Sequence, residues 1–164
     1  FCLNSFHDIG IVLDRGEYMT SVSSQKAYNA GILQGKAYRI LTAQLTSALL
    51  PFKLSIPEWK LLGQLADNGS MKLAKLADLL GVEAPLITSL VDSLEKKSLV
   101  KRTEDKVDKR AKIIQGTKKA MKLVEKIEPT VQASISPLLR GVSEKEFRSY
   151  MHVLESIVKN SAST

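Results

Sequence analysis

The sequence predicts a mainly helical domain carrying one small β-hairpin, and three observations predict it. Apolar residues recur at three- and four-residue spacing through most of the chain, the period of a helix with one buried face. Two short helical stretches meet at a turn containing Gly81, which reads as a helix-turn-helix. Directly behind them, two β-type segments, 100–103 and 111–115, are joined by the charged run Glu104-Asp105-Lys106-Val107-Asp108-Lys109-Arg110, a hairpin that would stand beside the helix pair as a wing.

With 164 residues, 44% hydrophobic and 25% charged, the chain fits one globular domain with a sizeable core and excludes wholesale disorder. Its apolar runs are only a few residues long, against roughly 20 for a bilayer span, so no membrane partner is expected. Cys2 has no second cysteine to pair with, and no Cys/His cluster suggests zinc, so a reducing, cytoplasmic setting is expected.

Residues 1–24 read as an N-terminal extension without sustained periodicity. Met19 is a candidate true start, the preceding Arg15-Gly16-Glu17 matching the translation of a purine-rich ribosome-binding stretch. A first long helix is expected from about Ser24 to Leu50, with Tyr38, Leu41, Leu45, Ala48 and Leu49 on one face and Pro51 ending it. Ser55-Ile56-Pro57-Glu58 is a capping box opening a second helix, whose stripe is Trp59, Leu62, Leu65 and Ala66. Asp67-Asn68-Gly69-Ser70 is a turn cluster.

The helix-turn-helix follows, with Leu73–Leu80 stopped at Gly81 and a second helix from Pro85 to about Lys97. In that second helix Ile87, Leu90, Val91 and Leu94 form the inward stripe, which leaves Ala84, Thr88, Ser89 and Asp92 outward. A small, mostly polar outer face is one that can approach base edges. Thr117 can cap the next helix, with Ala120, Leu123 or Val124, Ile127, Val131, Ile135 and Leu138 as its stripe, and Pro129 inside it should bend it or leave a local irregularity. Ser143-Glu144-Lys145-Glu146 caps a last helix striped by Phe147, Tyr150, Met151, Leu154, Ile157 and Val158. These amphipathic helices outside the compact unit need a surface to bury against, and a second copy of themselves is the most economical one.

Charge points the same way. The formal net charge is +7, from 24 Lys+Arg against 17 Asp+Glu, and the stretch 95–126 holds twelve basic and five acidic residues, hence the whole excess. A concentrated positive field attracts nucleic acid, an anionic membrane surface or an acidic protein; a plain solvated face is the alternative.

In the order and spacing of several stretches, the chain resembles the MarR/SlyA family of bacterial winged-helix transcription regulators over roughly residues 25–160, and most of all its SlyA branch. These stretches are Leu76-Ala77 with Leu80-Gly81-Val82-Glu83-Ala84-Pro85; Leu90-Val91-Asp92-Ser93-Leu94-Glu95-Lys96-Lys97-Ser98-Leu99-Val100-Lys101-Arg102; Asp108-Lys109-Arg110-Ala111-Lys112; and Leu139-Arg140-Gly141-Val142-Ser143. The resemblance implies a winged helix-turn-helix over 55–116 and a helical dimerisation region over 25–51 and 117–160. It also implies a homodimer on a pseudo-palindromic double-stranded operator, with no cofactor, and a cytoplasmic, nucleoid-associated repressor or anti-silencing regulator.

In that arrangement the helix from Pro85 lies in the major groove, where Ala84, Pro85, Leu86, Thr88 and Ser89 meet bases, and the wing reaches the adjacent minor groove. Arg110 would enter that groove, oriented by Asp108, the alternative being a surface salt bridge. Lys72, Lys96, Lys97, Lys101, Arg102, Lys106 and Lys109 are the expected phosphate contacts. Where relatives carry arginine this chain has Ser89 and Ser93, and where they carry glycine it has Ser98. Specificity should therefore rest more on DNA shape and half-site spacing than on guanine readout. Many relatives bind small phenolic or aromatic anions between the DNA-binding lobe and the dimer helices, and Tyr38, Trp59 and Tyr150 are candidates to line such a place, with core packing as the alternative.

An enzyme finds no support in the common catalytic motifs. His7 and His152 lack the spacing of metal ligands, His152 is expected beside the apolar stripe of the last helix, and Cys2 lacks the surroundings of a thiol sensor. The competing function is a protein-interaction module in which the winged helix binds DNA only non-specifically and its basic face docks an acidic partner.

Overall fold

The computed structural model describes residues 22–104 and 112–161. Helix α1 (Ser24–Leu49) is capped by the Ser23 side chain and passes at Leu50 into a single 3-10 turn, Leu50–Phe52, that contains Pro51. Helix α2 (Ile56–Asn68) starts at Ser55 with the expected capping box in full: the serine oxygen accepts from the Glu58 N–H, and the Glu58 carboxylate accepts from the Ser55 N–H at 2.8 Å. Strand β1 (Met71–Lys72) is two residues long and runs straight into α3 (Leu73–Leu80). Gly81, with φ 63°, ends α3 in the left-handed region, and the Val82 N–H bonds back to the Ala77 carbonyl. Helix α4 (Ala84–Lys96) follows with Pro85 in its first turn.

Strands β2 (Val100–Glu104) and β3 (Lys112–Gly116) form the hairpin, with Arg102 opposite Ile114 and Glu104 opposite Lys112. Strand β1 pairs with the other edge of β3, making a three-stranded antiparallel sheet in the order β1-β3-β2. Two residues are too few to show strand periodicity, so this third strand is a finding of the structure alone. Helix α5 (Lys118–Ile135) is capped by Thr117 and runs through Pro129 without ending there; it passes into a 3-10 turn at Ser136–Leu139 that leaves Leu138 exposed. Helix α6 (Glu144–Ser161) closes the described chain behind its Ser143–Glu146 box.

The core lies where α2, α3, α4, the sheet and the middle of α5 converge, and Leu61, Leu62, Leu76, Ile87, Leu94, Ile114 and Ile127 are fully buried there. The inward stripe of α4 is the expected one: Ile87, Leu90, Val91 and Leu94. In α2 the register is one residue different from expectation. Leu61 and Glu58 turn inward with Leu62 and Leu65, whereas Ala66 is exposed. In α1 only Ala48 and Leu49 are buried, and Tyr38 stands out at 68% exposure because nothing in the single chain covers that part of the helix. Helix α6 buries no residue at all, although Phe147, Tyr150, Ile157 and Val158 lie along it.

Candidate nucleic-acid interface

Helix α4 presents its first two turns to solvent, held by the four residues of its buried stripe. Ala84, Pro85, Leu86, Thr88 and Ser89 are all exposed, as a helix reading base edges requires. The Thr88 hydroxyl donates to the Ala84 carbonyl at 2.9 Å, so its proton is used inside the helix and its lone pairs face outward. Lys72, Lys96 and Lys101 are exposed around this surface. Lys106, Asp108, Lys109 and Arg110, like Cys2 and His7, lie outside the described residues.

Ser93 does not belong to that outer face. Its hydroxyl donates to Glu58 Oε1 at 2.6 Å, pointing toward α2, so of the two serines that stand where relatives carry arginine only Ser89 is on the exposed face. Lys97 is a second departure from expectation. Its ammonium donates to both Glu58 oxygens, at 2.7 and 2.8 Å, and to the Lys53 carbonyl at 2.9 Å, which occupies its three hydrogens and leaves none for a phosphate. Glu58 is 5% exposed, and burial by itself would raise its pKa. The hydrogen bonds from Lys97, the Ser55 N–H and Ser93, with the charge of Lys97, outweigh that and hold the carboxyl below its ordinary value.

Arg102 is likewise engaged. Its guanidinium meets Asp92 Oδ1 and Glu95 Oε2, each at 2.5 Å, and the Thr88 carbonyl at 3.4 Å, so it spans from β2 to the outer side of α4. Partial burial disfavours its charge, but Asp92 and Glu95 more than offset this and raise its pKa. Neither cluster was evident from sequence spacing, because Glu58 meets partners 35 and 39 residues away and Arg102, on a strand, meets helix residues seven and ten positions before it.

A cleft of about 390 Å³ opens between α2, α3 and α5. Trp59, Gly63 and Gln64 line it from α2, Leu79 and Leu80 from α3, and Val124, Glu128 and Val131 from α5, with Lys60 and Asp67 also on its wall. Of the three aromatic candidates only Trp59 is there. Tyr38 and Tyr150 are exposed on α1 and α6, because in one chain those helix faces have nothing to pack on. His152 is exposed on α6.

The fold is that of a winged helix-turn-helix protein. Residues 54–112, the helix-turn-helix and most of the wing, match the sequence model described as the MarR family. Solved structures agree over most of the chain. AbsC, a MarR family transcriptional regulator from Streptomyces coelicolor, is 19% identical with a TM-score of 0.78, covering 87% of this chain and 98% of that one. MarR from E. coli, a cysteine-to-serine mutant complexed with operator DNA, is 20% identical with a TM-score of 0.73, over 84% and 99%. CouR from Rhodococcus jostii RHA1, bound to p-coumaroyl-CoA, is 24% identical with a TM-score of 0.73, over 82% and 95%. Among the described residues no helix is long and apolar enough to cross a membrane.

Proposed function

We propose that this chain is a sequence-specific DNA-binding transcription regulator of the MarR type, most similar to its SlyA branch, acting as a homodimeric repressor or anti-silencing regulator in the bacterial cytoplasm. The observation that carries the reading is the exposed, uncapped front of α4, with Ala84, Pro85, Leu86, Thr88 and Ser89 outward beside Lys72, Lys96 and Lys101. The division into a DNA-binding unit over 55–116 and a dimerisation region over 25–51 and 117–160 rests on the exposed faces of most of α1 and all of α6, while α5 joins the two units, burying Ala120, Ile127 and Val131 in the core of the first. Lys106, Lys109 and Arg110 complete the wing's share of phosphate and minor-groove contact, with Asp108 orienting Arg110.

The test is a titration against DNA from upstream of the chain's own gene and against a scrambled duplex, at several salt concentrations. A regulator at its operator separates the two by roughly a thousandfold or more at physiological salt. Equal affinities that collapse together with salt would instead indicate phosphate binding alone and favour the interaction module.

The cleft is the proposed place for a small aromatic effector, because an apolar hollow faced by an aromatic ring and a few polar groups suits one. Trp59 is the only tryptophan in the sequence and lines the cleft, so its fluorescence reports occupancy directly. A phenolic or aromatic anion should quench it saturably and lower operator affinity. Absence of both changes across a panel of such compounds would remove the effector from the proposal.

A further inference from the structure

Arg102 has the composition and place of a phosphate contact but not the geometry of one. It sits on β2 at the root of the wing with its side chain 25% exposed, and its two terminal nitrogens are directed to carboxylates of the neighbouring helix, Nη2 to Asp92 and Nη1 to Glu95. The grip extends to the backbone at both ends. The Arg102 N–H points at Glu95 Oε1 at 3.4 Å, and Nη2 approaches the Thr88 carbonyl at the same distance, one residue before Ser89. Asp92 and Glu95 stand three residues apart on α4, on the side where a DNA-facing helix would be expected to avoid negative charge.

We propose that Arg102 is a positioning residue: together with Asp92 and Glu95 it locks the wing root to α4, fixing the angle between the two DNA-contacting devices and thereby the sequence preference. The acidic pair is explained by this role. Two carboxylates beside DNA weaken phosphate attraction, and here they hold an arginine whose planar fork can satisfy both at once. The effect of the lock falls on discrimination. Specific DNA must be met by α4 and the wing together, whereas non-specific binding needs only positive charge near phosphates. The inference rests on the DNA-binding reading given above.

The experiment is a double-mutant cycle on the full chain, with Arg102→Gln, Asp92→Asn/Glu95→Gln, and all three substitutions combined. Each protein is titrated with operator and scrambled duplexes over a range of salt. The expected result is that the ratio of specific to non-specific affinity falls about tenfold in Arg102→Gln, comparable to one mismatched base pair. It falls by a similar factor in Asp92→Asn/Glu95→Gln, and no further when all three are combined. A change that merely loosened the fold would lower the active fraction for both duplexes and leave the ratio unmoved.

If Arg102 instead contacts phosphate, Arg102→Gln lowers both affinities equally and flattens the salt slope by about one per protomer, while the acidic double variant raises both. That outcome overturns the lock and leaves the regulator standing. A wild-type chain with no preference for any upstream duplex would overturn the regulator reading, and this inference with it.

Discussion

Glu58 is the residue on which the helix-turn-helix is braced against the front of α2. One carboxylate caps its own helix through the Ser55 N–H, accepts from Ser93, and neutralises Lys97. Replacing it with glutamine keeps the shape but removes the charge, and at neutral pH should cost about 1.5–3 kcal/mol of stability, the range for hydrogen bonds to charged groups. The pH dependence follows from the lowered pKa. The folded protein holds this proton more weakly than the unfolded chain, so the contribution is complete above the ordinary value of 4.5 and fades as pH falls through the folded-state value. Urea unfolding of wild type and Glu58→Gln from pH 7 to pH 3 should show the gap between them narrowing below about 4.5; a gap constant across that range would mean the brace is not ionic. The capping box was legible from Ser55-Ile56-Pro57-Glu58, but the two long-range partners were not, since no local rule links positions 35 and 39 residues apart.

At the scale of elements, the helix-turn-helix is governed by two tight turns with left-handed residues. Gly81 ends α3 at φ 63°, and Ser98 follows α4 at φ 58°. The first position has the residue that suits it and the second does not, since an L side chain in that region costs roughly 1–2 kcal/mol that glycine avoids. The glycine that the family resemblance leads one to expect at position 98 thus has a backbone reason. Gly81→Ala should destabilise the protein by about 1 kcal/mol, and Ser98→Gly should stabilise it by roughly 0.5–1 kcal/mol after the added entropy of an unfolded glycine. Chemical denaturation of the two variants measures both, and equal signs for the two changes would contradict the backbone account. Element boundaries were legible here because local chemistry sets them: Ser55, Gly81, Pro85, Thr117 and Ser143 each sit at the helix end they predict. The inward register of α2 was less so, because a short amphipathic helix tolerates a rotation that only its neighbours resolve.

For the molecule as a whole, the exposed apolar faces are the outstanding feature. Tyr28, Ile32, Leu33 and Tyr38 on α1 and Phe147, Tyr150, Val153, Ile157 and Val158 on α6 all remain largely in contact with solvent. Burying a single side chain of this kind is worth about 1.5–3 kcal/mol, so a partner that covers both helices has ample driving force. Sedimentation equilibrium should find a dimer at micromolar concentration, and Val153→Glu with Ile157→Glu should shift it toward monomer while leaving the α2 to α5 core folded. A wild-type chain that sediments as a monomer would overturn the dimeric reading. The same substitutions should weaken operator binding more than non-specific binding, because two linked half-sites are lost together.

The helix-turn-helix, the hairpin behind it, the helix caps and the concentration of positive charge in 95–126 are all legible in the order of residues along the chain. These depend on period, on turn residues and on composition, all written within a few positions of one another. Which of those charges are committed depends on how the chain packs. Lys97 and Arg102 looked like any other basic residues of that stretch until folding brought Glu58, Asp92 and Glu95 against them. It also placed Ser93 inward, added β1 to the sheet and separated Trp59 in its cleft from Tyr38 and Tyr150 in solvent. The physical reason is common to all of these: a side chain's role is set by the groups that surround it in space, and those come from other helices and strands, seven and ten residues away for Arg102 and 35 and 39 for Glu58.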